Sequence, residues 1–307
     1  MAQRLLVISP VRNEAAHIER VALALAAQTR RPDLWVVVDD RSTDETPLML
    51  ARLAKRLDFM SVMQSPPPPA GDAPKDRLAL AIEARAFNAG LNSVPWRTFT
   101  HIAKLDGDIT LPPRYFELLL DEFAHDSALG LAGGVLRERD GEGWGREHAA
   151  SDYHVRGALK CYTRDCLQAI GGIQERMAWD TIDEVYARMR GYKTRTLPQL
   201  VALHHRPCAS ADGLLRGRAR HGRGFYIAHY PPAWVSLRAV KTASERPVGL
   251  SGLAFLAGYV WARLLGVPQV EDPEFRAFVR RELCLRARRA LHLRASMVPT
   301  WLRPDPG

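Results

Sequence analysis

Short apolar runs alternating with helix-like segments constrain this chain most. Arg4–Ser9, Leu34–Val38 and Phe99–Leu105 are each about one strand long and mostly apolar, as strands buried on both faces of a sheet are. Phe59–Met63 is a weaker run of the same kind. Between them, Glu14–Gln28 places Ile18, Val21, Ala22 and Leu25 at helical spacing, Thr46–Leu57 follows a start signal at Ser42–Glu45, and Leu78–Leu91 is helical by pattern. Strands alternating with helices predict a mostly parallel sheet with helices on both faces. In such sheets ligands bind beyond the carboxyl ends of the strands. Asn13-Glu14, Asp39-Asp40 and Asp106-Gly107-Asp108 all stand directly after strand runs. Polar clusters far apart in sequence are therefore expected on one sheet edge.

Further along, Pro112-Pro113 open a helix through Phe123, and Thr163–Ile170 reads as a helix with Thr163 as N-cap and Gly171-Gly172 as stop. Another helix starts near Asp180 and ends at Gly191; Thr194–Leu203 then reads as a strand leading into His204-His205-Arg206. Ser65–Pro74 and the Gly-rich, polar Arg137–Tyr153 read as loops. Beyond Asp212 the chain looks helical and Arg-rich, with no internal repeat.

The 307 residues carry a net charge of +9, which alone invites a nucleic-acid reading. The charge is split: residues 1–184 hold 22 basic and 27 acidic residues, net −5, and residues 185–307 hold 21 and 7, net +14. No nucleic-acid motif stands out, and the aromatics do not interleave with the basic residues as a stacking platform would, so nucleic acid is not expected as a partner. Apolar residues at 47% exclude a disordered chain. Cys161, Cys166, Cys208 and Cys284 fit no zinc spacing, and a reduced cytoplasmic compartment is the simplest reading. The N-terminal apolar run is too short for a signal peptide, and no stretch reaches the roughly 18 apolar residues of a spanning helix.

In an extended segment residues i and i+2 point to one side, so Asp106 and Asp108 make a hard oxygen site suited to Mg²⁺ or Mn²⁺ completed by phosphate oxygens. The plainer reading is a solvated Asp-Gly turn. Asp39-Asp40 can accept hydrogen bonds from a base or a ribose, or can simply shape a turn. Asn13-Glu14 alone is no more than a helix start. Lys75, Arg77 and Arg85 could offset diphosphate charge, or lie on a solvated surface.

Taken together, Ile8–Glu14 (ISPVRNE), Val36–Asp44 (VVVDDRSTD), Ala86–Gly90 (AFNAG) and Lys104–Ile109 (KLDGDI) resemble, in order and spacing over about residues 4–210, the motifs of family 2 glycosyltransferases. The resemblance implies a GT-A Rossmann-like domain over 1–210, with 1–110 as nucleotide-binding half and 111–210 as acceptor half, and 211–307 as a basic helical extension. It implies a metal-dependent, hexosyltransferase-type enzyme that moves a sugar from a nucleotide-diphosphate donor to an acceptor hydroxyl with inversion. Pro10, Asn13, Glu14, Asp39, Asp40, Arg85 and Asn88 would hold the nucleotide sugar, Asp106 would sit near the ribose and the metal, and Asp108 would ligate Mg²⁺ or Mn²⁺. Arg41 departs from the family, which usually has Gly or Asn there. The base falls in Trp179–Glu184: the usual spacing to Gly191 points to Asp180, while Asp183-Glu184 looks equally like the acidic motif, and Asp183 is the first choice with Asp180 beside it. Asp180 as N-cap with Asp183 in the first turn would also stabilise the helix without any catalysis. From the pair His204-His205, His205 is assigned as a further metal ligand with Asp108.

Arg206, Arg218, Arg220 and His221 could meet the leaving diphosphate, or form a solvated basic face. Val248–Val267, next to Arg-rich helices, fits either an interfacial segment on the anionic inner face of a cell membrane or a buried helix of the same domain. The acceptor is expected to be a saccharide or lipid-linked hydroxyl in bacterial cell-envelope or exopolysaccharide synthesis. Two other readings stay open: a sugar nucleotidyltransferase, whose usual Gly-rich loop is replaced here by Pro10–Glu14, and a non-catalytic membrane-associated nucleotide-sugar-binding protein.

Overall fold

The computed structural model describes residues 3–67, 81–140, 143–146, 154–206 and 213–291. Lys75, Arg77, residues 78–80, Cys208 and the chain after Leu291 lie outside the described residues. The chain divides into two compact units, Met1–Pro207 and Cys208–Gly307.

The first unit is built on one mixed sheet. Strands β1 (Leu5–Val11), β2 (Leu34–Asp39), β3 (Met60–Gln64) and β4 (His101–Leu105) pair in parallel. Helices α1 (Ile18–Ala26), α2 (Thr46–Ala54) and α3 (Ile82–Asn92) make the crossovers, and α4 (Tyr115–His125) follows. The rest of the sheet is β5 (Ile109–Thr110), β6 (Leu129–Asp140), β7 (Gly143–Arg146), β8 (Leu159–Thr163) and β9 (Lys193–His204), with helices α5 (Arg164–Ala169) and α6 (Trp179–Met189). The strand order is β3-β2-β1-β4-β8-β6-β9-β5, with β7 on β6. β8 is antiparallel to β4 and β6, β7 to β6, and β5 to β9, while β6 and β9 are parallel. The expected mostly parallel sheet is found, with β5, β7 and β8 reversed within it.

Both faces are covered because successive strand residues point to opposite sides. Leu5, Val7, Trp35 and Val37 pack with α1, α2 and α4, while Leu6, Ile8, Val36 and Val38 pack with α3. The Thr163 side chain caps α5 by accepting from the Cys166 N–H at 3.2 Å, and Gly171 and Gly172 end it at positive φ, as read from the sequence. The start of α6 differs: its N-cap is Ala178, not Asp180, and Asp180 lies in the first turn.

Arg137–Asp140 belongs to β6 rather than to a loop, and Leu159-Lys160 opens β8. The glycines that hid this strand are there for space. A Cβ at Gly134 would stand 2.1 Å from the Leu200 carbonyl oxygen, and one at Gly133 2.3 Å from that of Leu159. Only glycine lets β6 pass this close to its neighbours.

The second unit is helical: α7 (Leu214–Ile227), α8 (Pro232–Ala243), α9 (Leu250–Leu264) and α10 (Pro273–Leu291). Val235, Ala239, Phe255 and Tyr259 form its small core. Arg218 pairs with Glu245 inside this unit.

Candidate active site

The polar clusters that follow β1, β2 and β4 do meet. Val11 pairs with Asp39 in register, and the Asp40 N–H donates to the Val11 carbonyl at 2.8 Å. Asp39 accepts from the backbone N–H of Ser42 at 3.1 Å and from its hydroxyl. Asn13 accepts from the Thr43 N–H at 2.8 Å, while its own N–H donates to the Ser42 hydroxyl at 2.9 Å. Asp39 and Asn13 thus lock the turn after β2 onto the turn after β1. Arg41 sits in that turn with φ +56, the left-handed region where Gly or Asn is at ease. The Arg12 guanidinium donates to the Asp40 carbonyl at 3.1 Å and stands 3.8 Å from its carboxylate.

Gly107 presses the Asp106–Asp108 turn onto the end of β1: a Cβ there would be 2.7 Å from Val11 Cγ1 and 3.1 Å from Glu14 Cγ. This sets Glu14 and Asp108 side by side under Arg206, whose guanidinium is 2.7 Å from Glu14 and 3.9 Å from Asp108. Burial, reinforced by Asp108, pushes Glu14 up to about 7 against the pull of Arg206. Burial works the same way on Asp108, but the neighbouring His204 and Arg206 outweigh it and hold its carboxyl below the usual range.

The ring that faces Asp108 is His204, not the His205 expected from the sequence. His204 Nε2 is 3.4 Å from Asp108 Oδ2, and its Nδ1 is 3.8 Å from Glu138. The reason is strand alternation at the end of β9. His205 turns the other way, with Nε2 on the Thr110 hydroxyl at 2.9 Å and Nδ1 against Arg20 at 3.0 Å. It stacks on His17 and meets the Trp144 edge, and burial with Arg20 and His17 nearby pushes its pKa down to about 4. Both of its ring nitrogens are engaged by these side chains. Among the described residues, no group of three or more His, Cys, Asp or Glu side chains is arranged as a cation site. Asp108 and His204 are nonetheless two adjacent donors of the kind Mg²⁺ or Mn²⁺ accepts when a diphosphate supplies the rest.

Asp106 does not stand free beside Asp108. It is bonded to the fully buried Lys104 ammonium, which also pairs with Glu83. Burial opposes the charge of Lys104, yet these two carboxylates more than offset it and hold the ammonium protonated. Lys104 lies directly opposite Lys160 in the β4–β8 ladder. Lys160 donates to both oxygens of Asp183, at 2.8 and 3.0 Å, and to the Asp180 carbonyl, and stands 3.4 Å from Glu184. Tyr162 adds its hydroxyl to Asp183. Glu184 accepts from the Val155 N–H at 2.7 Å and contacts His154 and Arg188. The indole of Trp179 lies 5.4 Å from both ammonium groups, a cation–π distance.

The two candidate bases stand in different surroundings. Asp183 is 1% exposed and saturated by Lys160 and Tyr162. Asp180, one turn earlier and half-buried, makes no side-chain hydrogen bond or ion pair with its carboxylate among the described residues; it lies within electrostatic reach of Lys160 and His154 and borders Gly157. Arg85 and Asn88 face the loop before α6. Asn88 donates to the Ile173 carbonyl at 2.8 Å and to Glu175 at 3.1 Å, and Arg85 is 3.6 Å from Glu175, so both fasten α3 to the loop before α6. Pro10 lies in β1 beside Val38 of β2.

Lys104, Lys160, Tyr162 and Trp179 were not singled out from the sequence. A lysine inside the apolar run Phe99–Leu105 was the available signal. A lysine in a buried strand has to find carboxylates.

Residues 6–66 match the model of glycosyl transferase family 2. No curated protein matches the chain at significance. Among solved structures, the mannosyltransferase PcManGT from Pyrobaculum calidifontis, in complex with GDP-Man and Mn²⁺, is similar with a TM-score of 0.55 and 19% identity, over 96% of this chain and 82% of that one. S. aureus TarS 1-349 in complex with UDP-GlcNAc is similar with a TM-score of 0.53 and 15% identity, over 93% of this chain and 81% of that one. The chain spans 48% of a longer TarS structure, at a TM-score of 0.51 and 15% identity. The fold is the GT-A fold of glycosyltransferases. With the match over residues 6–66, it supports a family 2 glycosyltransferase that uses a nucleotide sugar.

Proposed function

We propose that the chain moves one hexose from a nucleotide-diphosphate sugar to an acceptor hydroxyl with inversion, and that Asp180 is the base. One observation carries the reading: of the two acidic candidates on α6, Asp180 alone keeps an open carboxylate, and its neighbour Trp179 is packed between the donor-side Lys104 and the helix-side Lys160. The acceptor reading, a saccharide or lipid-linked hydroxyl of envelope polysaccharide synthesis, rests on the family resemblance.

Asp180 takes the proton of the acceptor hydroxyl as that oxygen bonds to the anomeric carbon from the face opposite the leaving group. The bond from the anomeric carbon to the diphosphate oxygen breaks, and its electron pair leaves with the nucleoside diphosphate. Asn13, Asp39 and Asp40 shape the nucleotide edge. Arg206, 41% exposed above Glu14 and Asp108, is the cation placed to meet the diphosphate. Asp108 and His204 would hold a divalent cation, which when bound supplies Lewis-acid stabilisation of the leaving diphosphate. The Mn²⁺ in the PcManGT complex supports that choice of metal.

The test is to incubate the full chain with Mn²⁺ and UDP-, GDP-, CDP- and dTDP-sugars and measure nucleoside diphosphate. Release from one donor, faster with acceptor present, is expected. Pyrophosphate release from sugar-1-phosphate plus NTP, with no nucleoside diphosphate from any donor, would replace the transferase with a nucleotidyltransferase.

A further inference from the structure

Helix α9 is apolar on more sides than its packing uses. Gly252, Phe255, Tyr259 and Ala262 are buried against the rest of its unit. On the other side Leu250, Leu253, Trp261 and Leu264 are 53%, 64%, 63% and 73% exposed. Their spacing follows the helical repeat, so they line one stripe. The neighbouring α8 adds Leu237 and Val240, exposed by 64% and 72%. Gly252 fixes these helices against each other, since a Cβ there would be 2.5 Å from the Ala239 carbonyl. Scattered exposed apolar residues are ordinary, but a helical stripe of large ones beside further exposed apolar residues on the helix packed against it marks a contact surface.

The charge around the stripe selects what it contacts. Arg238, Lys241, Arg246 and Arg263 are all exposed. The one acidic residue between Pro232 and Leu265 is Glu245, which is half-buried and paired with Arg218. A second copy of this chain docked on the same face would bring these cations onto their own equivalents, which is repulsive. A negatively charged bilayer surface matches both features. The length agrees as well: α9 has 15 residues, and no described helix is long and apolar enough to cross a membrane. Such a helix lies in the interface, with its apolar side among the acyl chains, its cations at the headgroups and a tryptophan at the boundary.

We propose that the α8–α9 face docks the protein on an anionic lipid surface. The proposal is independent of the transfer reading, because nucleoside diphosphate release from a soluble donor does not involve this face.

The experiment is co-sedimentation of the full chain with vesicles of phosphatidylcholine alone or with about 30% phosphatidylglycerol. Leu253→Glu/Leu264→Glu and Arg238→Glu/Lys241→Glu variants are run beside it, with melting temperature as the folding control. Binding to the anionic vesicles, weakened at high salt and reduced about tenfold or more in each folded variant, is expected. No sedimentation with anionic vesicles would overturn the proposal, as would equal binding by the folded Leu variant. A wild-type dimer in analytical ultracentrifugation that the Leu variant splits would also overturn it, by making the face a self-interface.

Discussion

Lys104 and Lys160 occupy facing positions on β4 and β8, both are fully buried, and both touch the same indole, yet they are neutralised differently. The carboxylates around Lys104, Glu83 and Asp106, keep 35% and 26% of their side chains exposed. Those around Lys160, Asp183 and Glu184, keep 1% and 2%. The first cluster is partly open to water. The second is sealed, and its acids are committed to the fold. The comparison explains why two acidic residues on one helix part ways: Asp183 answers the charge of Lys160, and Asp180 does not bond to it through its carboxylate.

The contrast can be broken first at Lys160. Lys160→Met strands two carboxylates in the core, and losing one side of a buried ion pair costs about 3–5 kcal/mol. Urea unfolding should show that loss; a change below about 1 kcal/mol would mean the cluster is not sealed.

His101 sharpens the comparison from the other end of the same ladder, where it pairs with Thr163. It is a buried base with no carboxylate, and burial, aided by Arg30, pushes its pKa down to about 4. A folded pKa below the unfolded value near 6.5 contributes stability that is present above pH 6.5. That stability is lost as pH falls through 4, in total about 3 kcal/mol. The difference in stability between wild type and His101→Asn should shrink over that window; a constant difference would contradict it.

Lys104→Met should cost less than Lys160→Met, about 1–2 kcal/mol, because Glu83 and Asp106 can turn to water. The smallest effect is expected at Arg41. Arg41→Gly relieves a left-handed backbone and should stabilise by about 1 kcal/mol, seen as a higher midpoint in the same unfolding experiment.

Much of the donor half was legible because it is local. Apolar runs, their polar ends and the helical spacing of Ile18, Val21 and Leu25 are all written within short windows, and parallel pairing brings the ends together. The acceptor half was harder for physical reasons. β6 needs glycine where Leu159 and Leu200 press on it, so it lacks the branched residues that mark a strand. β7 lies inside what reads as a loop. The choice between Asp180 and Asp183 depends on Lys160, which lies about twenty residues before them in the chain. The choice between His204 and His205 depends on which way β9 presents alternate side chains at its end. Contacts across the sheet set the surroundings of both pairs, and no pattern within a window carries them.

The central claim is that Asp180 is the base and Asp183 is structural. It is tested most directly by measuring kcat, nucleotide affinity and melting temperature for Asp180→Asn and Asp183→Asn together. Asp180→Asn is predicted to keep the wild-type melting temperature and nucleotide affinity while kcat falls about a thousandfold. Asp183→Asn is predicted to lower the melting temperature. Wild-type kcat in Asp180→Asn, with an undiminished melting temperature and abolished turnover in Asp183→Asn, would contradict the account.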